Sequence, residues 1–240
     1  MGAAESKSND APRLTIQGKR YIAREIFHNF LHLGVLLLAA GDPFWINAWV
    51  CAGLGLLGTA ATDVFLYKYN RDLLNRRGQV IQEGTKRFDK VFVAIYIPIA
   101  LIVSIISGLD AVRYGWAPLP LWTAFVGGAI YLLVFPLGIW AMSVNRHFEA
   151  TVIIKGAHEH KVCSEGPYRY VRHPGYLAAI LGAVGYPLIL QSFWGLVATL
   201  ALVLVFVTRT AFEDRALREE LDGYKEFAAS TRYRLIPFIW

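Results

Sequence analysis

Charge is scarce in this sequence. Asp, Glu, Lys and Arg make up 18% of the 240 residues, against about 25% in an ordinary soluble domain. Cysteine is scarcer still. Cys51 and Cys163 are the only two, which excludes a disulfide framework and suits a reducing compartment. No Walker motif, dinucleotide glycine fingerprint or Gly-x-Ser-x-Gly elbow occurs, so P-loop NTPases, Rossmann-type domains and α/β-hydrolases are set aside. Internal repeats and low-complexity tracts are missing as well. The first twenty residues are polar, and the first apolar stretch begins too late for a cleavable signal peptide. Met1-Gly2-Ala3-Ala4-Glu5-Ser6 fits the myristoylation pattern, although a plain disordered arm is the simpler reading.

Apolar sequence stands where charge is missing, at 55% of the chain. Four stretches approach or exceed the roughly 20 helical residues that cross a hydrocarbon core about 30 Å thick: Ile26 to Gly41, Phe44 to Leu66, Val91 to Leu109 and Leu119 to Val144. A fifth apolar region, Gly175 to Val207, is about twice the length of one span and breaks at Gln191-Ser192. It reads as a tight hairpin of two short helices. In lipid only helices satisfy the backbone of such tracts. The expectation is an all-α integral membrane protein with about six transmembrane helices, the last two forming the C-terminal hairpin.

The basic residues set the orientation. Cytoplasmic loops are enriched in Lys and Arg. Of the 24 present, all but Arg113 fall on one side of a six-crossing arrangement, which puts both termini in the cytoplasm. The net charge of +6 is this orientation signal, with attraction to anionic lipid added, and calls for no nucleic acid.

Three regions follow. Residues 1–20 form a flexible N-terminal arm, 21–144 carry four transmembrane helices, and 145–240 hold the loop, the hairpin and a C-terminal helix. The loop from Tyr69 to Asp89 is polar and irregular. Pro98 and Pro136 lie inside spans, where proline kinks a helix. Ala150 to Ile154 is β-branched and suits a short extended stretch. From Arg209 to Ala229 a helix is expected, with Phe212, Leu217, Leu221, Tyr224 and Ala228 along its apolar stripe. Leu235 to Trp240 looks like an interfacial anchor.

The chemistry concentrates in Gly166-Pro167-Tyr168-Arg169-Tyr170-Val171-Arg172-His173-Pro174-Gly175-Tyr176, at the mouth of the hairpin. Tyr and Arg belong at a membrane interface anyway, so the residues alone leave a belt and a binding site equally open. Pro174 marks a helix start, with His173 extended before it and free backbone donors beside it, a place suited to an anionic group. Arg209 and Glu213 lie one turn apart at the end of the last span, as a snorkelling pair or as ligand contacts. His158, His160 and Cys163 match no zinc pattern, and no metal is expected. His28 and His32, one turn apart, suit packing better than haem.

These residues resemble the isoprenylcysteine carboxyl methyltransferase family and its phospholipid methyltransferase relatives, over about residues 145–237. Gly166-Pro167-Tyr168, Arg172-His173-Pro174-Gly175-Tyr176, the hairpin, and Glu213-Asp214 followed by Leu217, Leu221 and Tyr224 carry the resemblance. It implies an S-adenosylmethionine-dependent methyltransferase acting on a membrane lipid or other lipophilic acceptor. By it, His160, Lys161, Val162, Cys163, Tyr168, His173, Pro174, Gly175, Tyr176 and Glu213 contact the cofactor, and Arg209 contacts the acceptor. Asp214 stands where a second Glu is usual, Ile153 replaces a polar contact of the prenyl enzymes, and Ala178 stands where a Gly often follows. A carboxylate acceptor would need no general base. Two alternatives remain: an NADPH-dependent sterol or steroid-type reductase, which shares a related Arg-His-Pro-x-Tyr stretch, and a non-catalytic lipid-binding membrane protein.

Overall fold

The computed structural model describes residues 12–81, 84–145, 148 and 161–240. Among them the regular elements are helices: α1 (Ile16–Ala40), α2 (Ile46–Tyr69), α3 (Arg71–Arg77), α4 (Arg87–Gly108), α5 (Trp122–Val144), α6 (Pro174–Ile189), α7 (Phe193–Glu220) and α8 (Tyr224–Ser230). A π-helical turn, Leu109–Arg113, prolongs α4, and a 3₁₀ turn, Gly166–Arg169, precedes α6. The extended stretch expected at Ala150 to Ile154 lies outside the described residues.

Five helices are long and apolar enough to cross a membrane: α1, α2, α4 with its π turn, α5 and α7. Their outward faces carry Leu38, Leu57, Phe125, Leu133 and Leu204, all well exposed, as a lipid-solvated surface requires. The hairpin is lopsided rather than built from two short helices. Its first arm, α6, has 16 residues and its second, α7, has 28. At 1.5 Å per residue α6 covers roughly 24 Å, short of the ~30 Å core.

Two boundaries also move. The first helix starts at Ile16, inside the stretch assigned to the arm, because the Thr15 side chain accepts from Gly18 N–H and caps it. The helix expected from Arg209 onward is the last part of α7, which runs on to Glu220 without a break. The break comes at Gly223, whose φ of +79° favours glycine. Beyond it Tyr224, Phe227 and Ala228 pack with Leu217, Leu221, Ala141 and Tyr168. Phe212, counted in the same stripe, is instead half exposed and stacks on Phe88 at 5.8 Å. The polar loop after α2 holds α3, because Asn70 caps it through Leu73 N–H and Leu73 and Leu74 are fully buried.

The bundle closes where side chains are small. A Cβ on Gly127 of α5 would meet Ile189 N at 2.6 Å and Gly185 O at 2.7 Å, so the α5 and α6 backbones touch, as small-residue crossings in membranes allow. At the end of the bundle near the α6–α7 turn, Asp110 is fully buried. It accepts from Ala117 N–H (2.8 Å), Ser192 Oγ–H (2.7 Å) and Trp194 N–H (3.0 Å). One carboxylate thus ties the α4–α5 connection to the start of α7. Asp110→Ala strands three donors, at about 1–3 kcal/mol for each left dry. The variant is expected to melt several degrees lower in detergent, and an unchanged melting temperature would remove this role.

Candidate functional site

The Arg-His-Pro loop is shaped by its backbone partners. Arg172 N–H donates to Tyr233 O and His173 N–H to Arg234 O, both at 2.9 Å, so the C-terminal segment straps the loop down. His173 takes φ −126° and ψ 63° rather than the extended form expected, because its carbonyl already accepts from Tyr176 and Leu177 N–H in the first turn of α6. Pro174 then occupies the first helical position, where its missing N–H costs nothing.

Under the loop lies Asp214, with no exposed surface. Its carboxylate accepts from Arg172 Nε (2.7 Å) and Nη2 (3.2 Å), Arg234 Nε (2.9 Å), Arg218 Nε (3.1 Å) and Tyr224 OH (3.0 Å). His173 Nε2 stands 3.5 Å away. Burial, then the adjacent Asp214 charge, push the Tyr224 phenol up from its ordinary pKa, so Tyr224 keeps its proton and donates.

Glu213 faces the other way. Its Oε2 accepts from Tyr176 OH, and its Oε1 is 3.8 Å from His173 Nδ1. The His173 and Tyr176 rings stack at 5.7 Å, 9° from parallel. Arg209, one turn back on α7, is paired with Asp89 of α4, Nε to Oδ1 at 2.8 Å. Its guanidinium lies over the rings of Phe92 (4.1 Å) and Tyr176 (5.0 Å). Tyr168 OH accepts from Asn145 Nδ2 at 2.9 Å, and burial raises its pKa. Burial raises the Cys163 thiol too, which disfavours a reactive thiolate.

A cavity of about 750 Å³ brings these groups together. Lys161, Val162, Cys163, Tyr168, His173, Pro174, Gly175, Tyr176, Arg209 and Glu213 all line it. His160 and His158 lie outside the described residues. The rest of the wall was missed from sequence. Tyr21, Glu25, His28 and Arg77 come from α1 and α3, and Phe92 and Tyr96 from α4. Arg77 reaches it by lying against Tyr21 and Phe148, its centre 5.3 and 5.5 Å from the two rings. Asp89 and Asp214 were also missed as partners. Asp214 carried a signal, its place one turn before Arg218 on the same helical face, whereas nothing local to Asp89 pointed across to α7.

Residues 122–222 match the family model of phospholipid methyltransferase. That segment is similar to the methyltransferases of this family. It runs from the start of α5 to the break after α7 and so contains the loop, Arg209, Glu213 and Asp214. Two curated relatives, each named a probable protein-S-isoprenylcysteine O-methyltransferase, from the indica and japonica subspecies of Oryza sativa, are 34% identical to this chain over 100 residues. The match covers 41% of the chain and 52% of each relative. The chain therefore spans about half the length of the curated relatives it matches. The matched segment omits Tyr224, the strap and the walls supplied by α1, α3 and α4.

Removing the hub should unfold this region. Asp214→Ala leaves Arg172 buried without its carboxylate, a loss of about 3–5 kcal/mol, and is expected to lower the melting temperature sharply. Arg215→Ala breaks only an exposed pair with Glu219 and is expected to leave it unchanged. Equal melting of the two variants would overturn the role given to Asp214.

Proposed function

We propose that this protein is an integral membrane methyltransferase that uses S-adenosylmethionine on a lipophilic acceptor, as an isoprenylcysteine carboxyl methyltransferase-like enzyme. The observation that carries this reading is the single cavity lined both by the Arg-His-Pro-Gly-Tyr loop with Glu213 and by Arg209. The family match over 122–222 favours methyl transfer over the reductase and the non-catalytic binder.

The residues present suit the cofactor. The volume of about 750 Å³ falls in the range of small-molecule sites. Glu213 offers a carboxylate to a cationic sulfonium and amine. His173 and Tyr176 offer a stacked aromatic face, and Lys161 to Cys163 offer backbone groups along the rim. When bound, S-adenosylmethionine supplies an activated methyl group, which passes to a nucleophilic atom by in-line displacement. The protein's part is alignment and exclusion of water. Tyr176 links the two ends of the site, since it bonds Glu213 and lies under Arg209. Asp89 does not line the cavity; it holds Arg209 from behind, and the Phe92 and Tyr176 rings hold it in plane. Arg209 in that pose presents a fixed positive charge to an acidic acceptor, and a carboxylate there is a nucleophile without a general base.

The orientation belongs to the same proposal. Six crossings, counting the short α6, put both termini, the cofactor loop and α8 on the cytoplasmic face. A cysteine placed at Ser230 in a Cys163→Ser background should resist impermeant reagent added to intact cells and react after permeabilisation. Labelling from outside would reverse the orientation.

Cofactor identity is read by equilibrium binding of tritiated S-adenosylmethionine against NADPH to detergent-purified protein. His173→Ala, Tyr176→Ala and Glu213→Ala are expected to weaken S-adenosylmethionine binding without lowering the melting temperature as Asp214→Ala does. Wild-type affinity in all three would sink the pocket assignment.

Arg209 is tested with its partner, because Arg209→Ala alone removes the guanidinium that faces the buried Asp89 carboxylate. Arg209→Ala with Asp89→Asn should keep cofactor affinity. It should lose about 10–100-fold in turnover of an acceptor found by screening lipid extracts for radiolabelled methyl, the worth of one hydrogen bond to a charged group. Normal turnover would remove Arg209 from the acceptor site.

A further inference from the structure

A second cavity, of about 340 Å³, adjoins the first, and Glu25, His28, Tyr96, Ala179 and Phe206 line both. It lies among the membrane-spanning helices, yet its wall is not all apolar. His32 Nδ1 of α1 and Ser104 Oγ of α4 are 2.8 Å apart, and Ser104 Oγ and Tyr186 OH of α6 are 3.0 Å apart. A polar clasp between three helices accounts for those contacts. It does not account for the remaining groups. His32 Nε2, Tyr96 OH and Tyr131 OH have no hydrogen-bond partner among the described residues, and all three side chains line the cavity.

These atoms are not enclosed; they face the open space of the cavity, and polar side chains facing a cavity at membrane depth point to a ligand path. Three such groups around one cavity are spare capacity for a ligand. Phenols both donate and accept, and the imidazole does either according to tautomer, so the matching group is an oxygen.

We propose that the second cavity binds an oxygen function, hydroxyl or carbonyl, at the far end of the lipophilic acceptor. The inference rests on the methyl-transfer reading of the larger cavity and adds the substrate class: an amphiphile polar at both ends, methylated at one and held by hydrogen bonds at the other. The spacing follows from α6, which contributes Tyr176 to the first cavity and Tyr186 to the second. Ten residues of helix separate them, roughly 15 Å, so the acceptor is a long chain or an extended ring system rather than a compact molecule. A pure hydrocarbon tail would fill the space and leave His32, Tyr96 and Tyr131 unpaired.

The probes are myristic acid and its ω-hydroxy derivative, titrated by calorimetry into the full-length protein in detergent. The wild type is expected to bind the hydroxy acid about tenfold more tightly, the worth of one neutral hydrogen bond. A His32→Leu, Tyr131→Phe double variant should bind both acids alike while keeping the wild-type S-adenosylmethionine affinity. Tyr131→Phe alone, which keeps the ring, should lose part of the preference and guards against misfolding of the double variant. Equal binding of the two acids by the wild type, with the cavity holding water only, overturns the proposal. So does a preference that survives in both variants. Failure of the wild type to bind S-adenosylmethionine is a separate result, and it overturns the methyl-transfer reading instead.

Discussion

A carboxylate with no exposed surface and three guanidiniums around it is the constraint on which this protein's working end depends. Asp214 joins the loop before α6 through Arg172, the shaft of α7 through Arg218, the C-terminal strap through Arg234, and the start of α8 through Tyr224. A buried charge is tolerated only when paired and hydrogen-bonded, so these elements must arrive together. Glu213, one residue earlier, is turned about 100° around the helix axis and faces the cavity. Adjacent acids on one helix thus divide the labour: one fixes the scaffold and the other faces the cavity.

The two cavities are one construction in two media. The larger is rimmed by Lys161, Arg172, His173 and Glu213 and opens among polar groups. The smaller is lined largely by apolar side chains such as Leu33, Leu36, Val103 and Leu202, with Glu25, Asn29 and several hydroxyls and rings between them. Phe206 and Tyr96, edge to face at 5.7 Å, stand where the two meet. The two spaces therefore meet at a pair of rings rather than across a wall of backbone.

Much of this was legible in the sequence because it is local. The long apolar runs, the turn at Gln191-Ser192, the Arg-His-Pro-Gly-Tyr loop and the Arg209–Glu213 spacing each depend on residues close together in the chain. Lengths and partners were less legible. The hairpin was divided evenly because Arg209 looked like the end of a span; the helix continues because Arg209 is neutralised by Asp89, a residue of another helix. The tail stripe grouped Phe212 with Leu217, Leu221 and Tyr224, whereas Phe212 is half exposed and stacks on Phe88 and Gly223 breaks the helix before Tyr224. The α1, α3 and α4 walls carry no motif, since any side chain of suitable size and polarity can face a cavity.

The shortness of α6 has a consequence for where the reaction happens. One end of this helix is pinned at Gln191 by Asn47 and Leu119, and the other by the strap on Arg172 and His173. None of its residues is exposed, so neighbouring helices rather than lipid cover it, and the mismatch with a core of about 30 Å is taken up inside the bundle. With both ends of α6 fixed, the level of the His173 loop is set by contacts within the protein and not by the thickness of the bilayer.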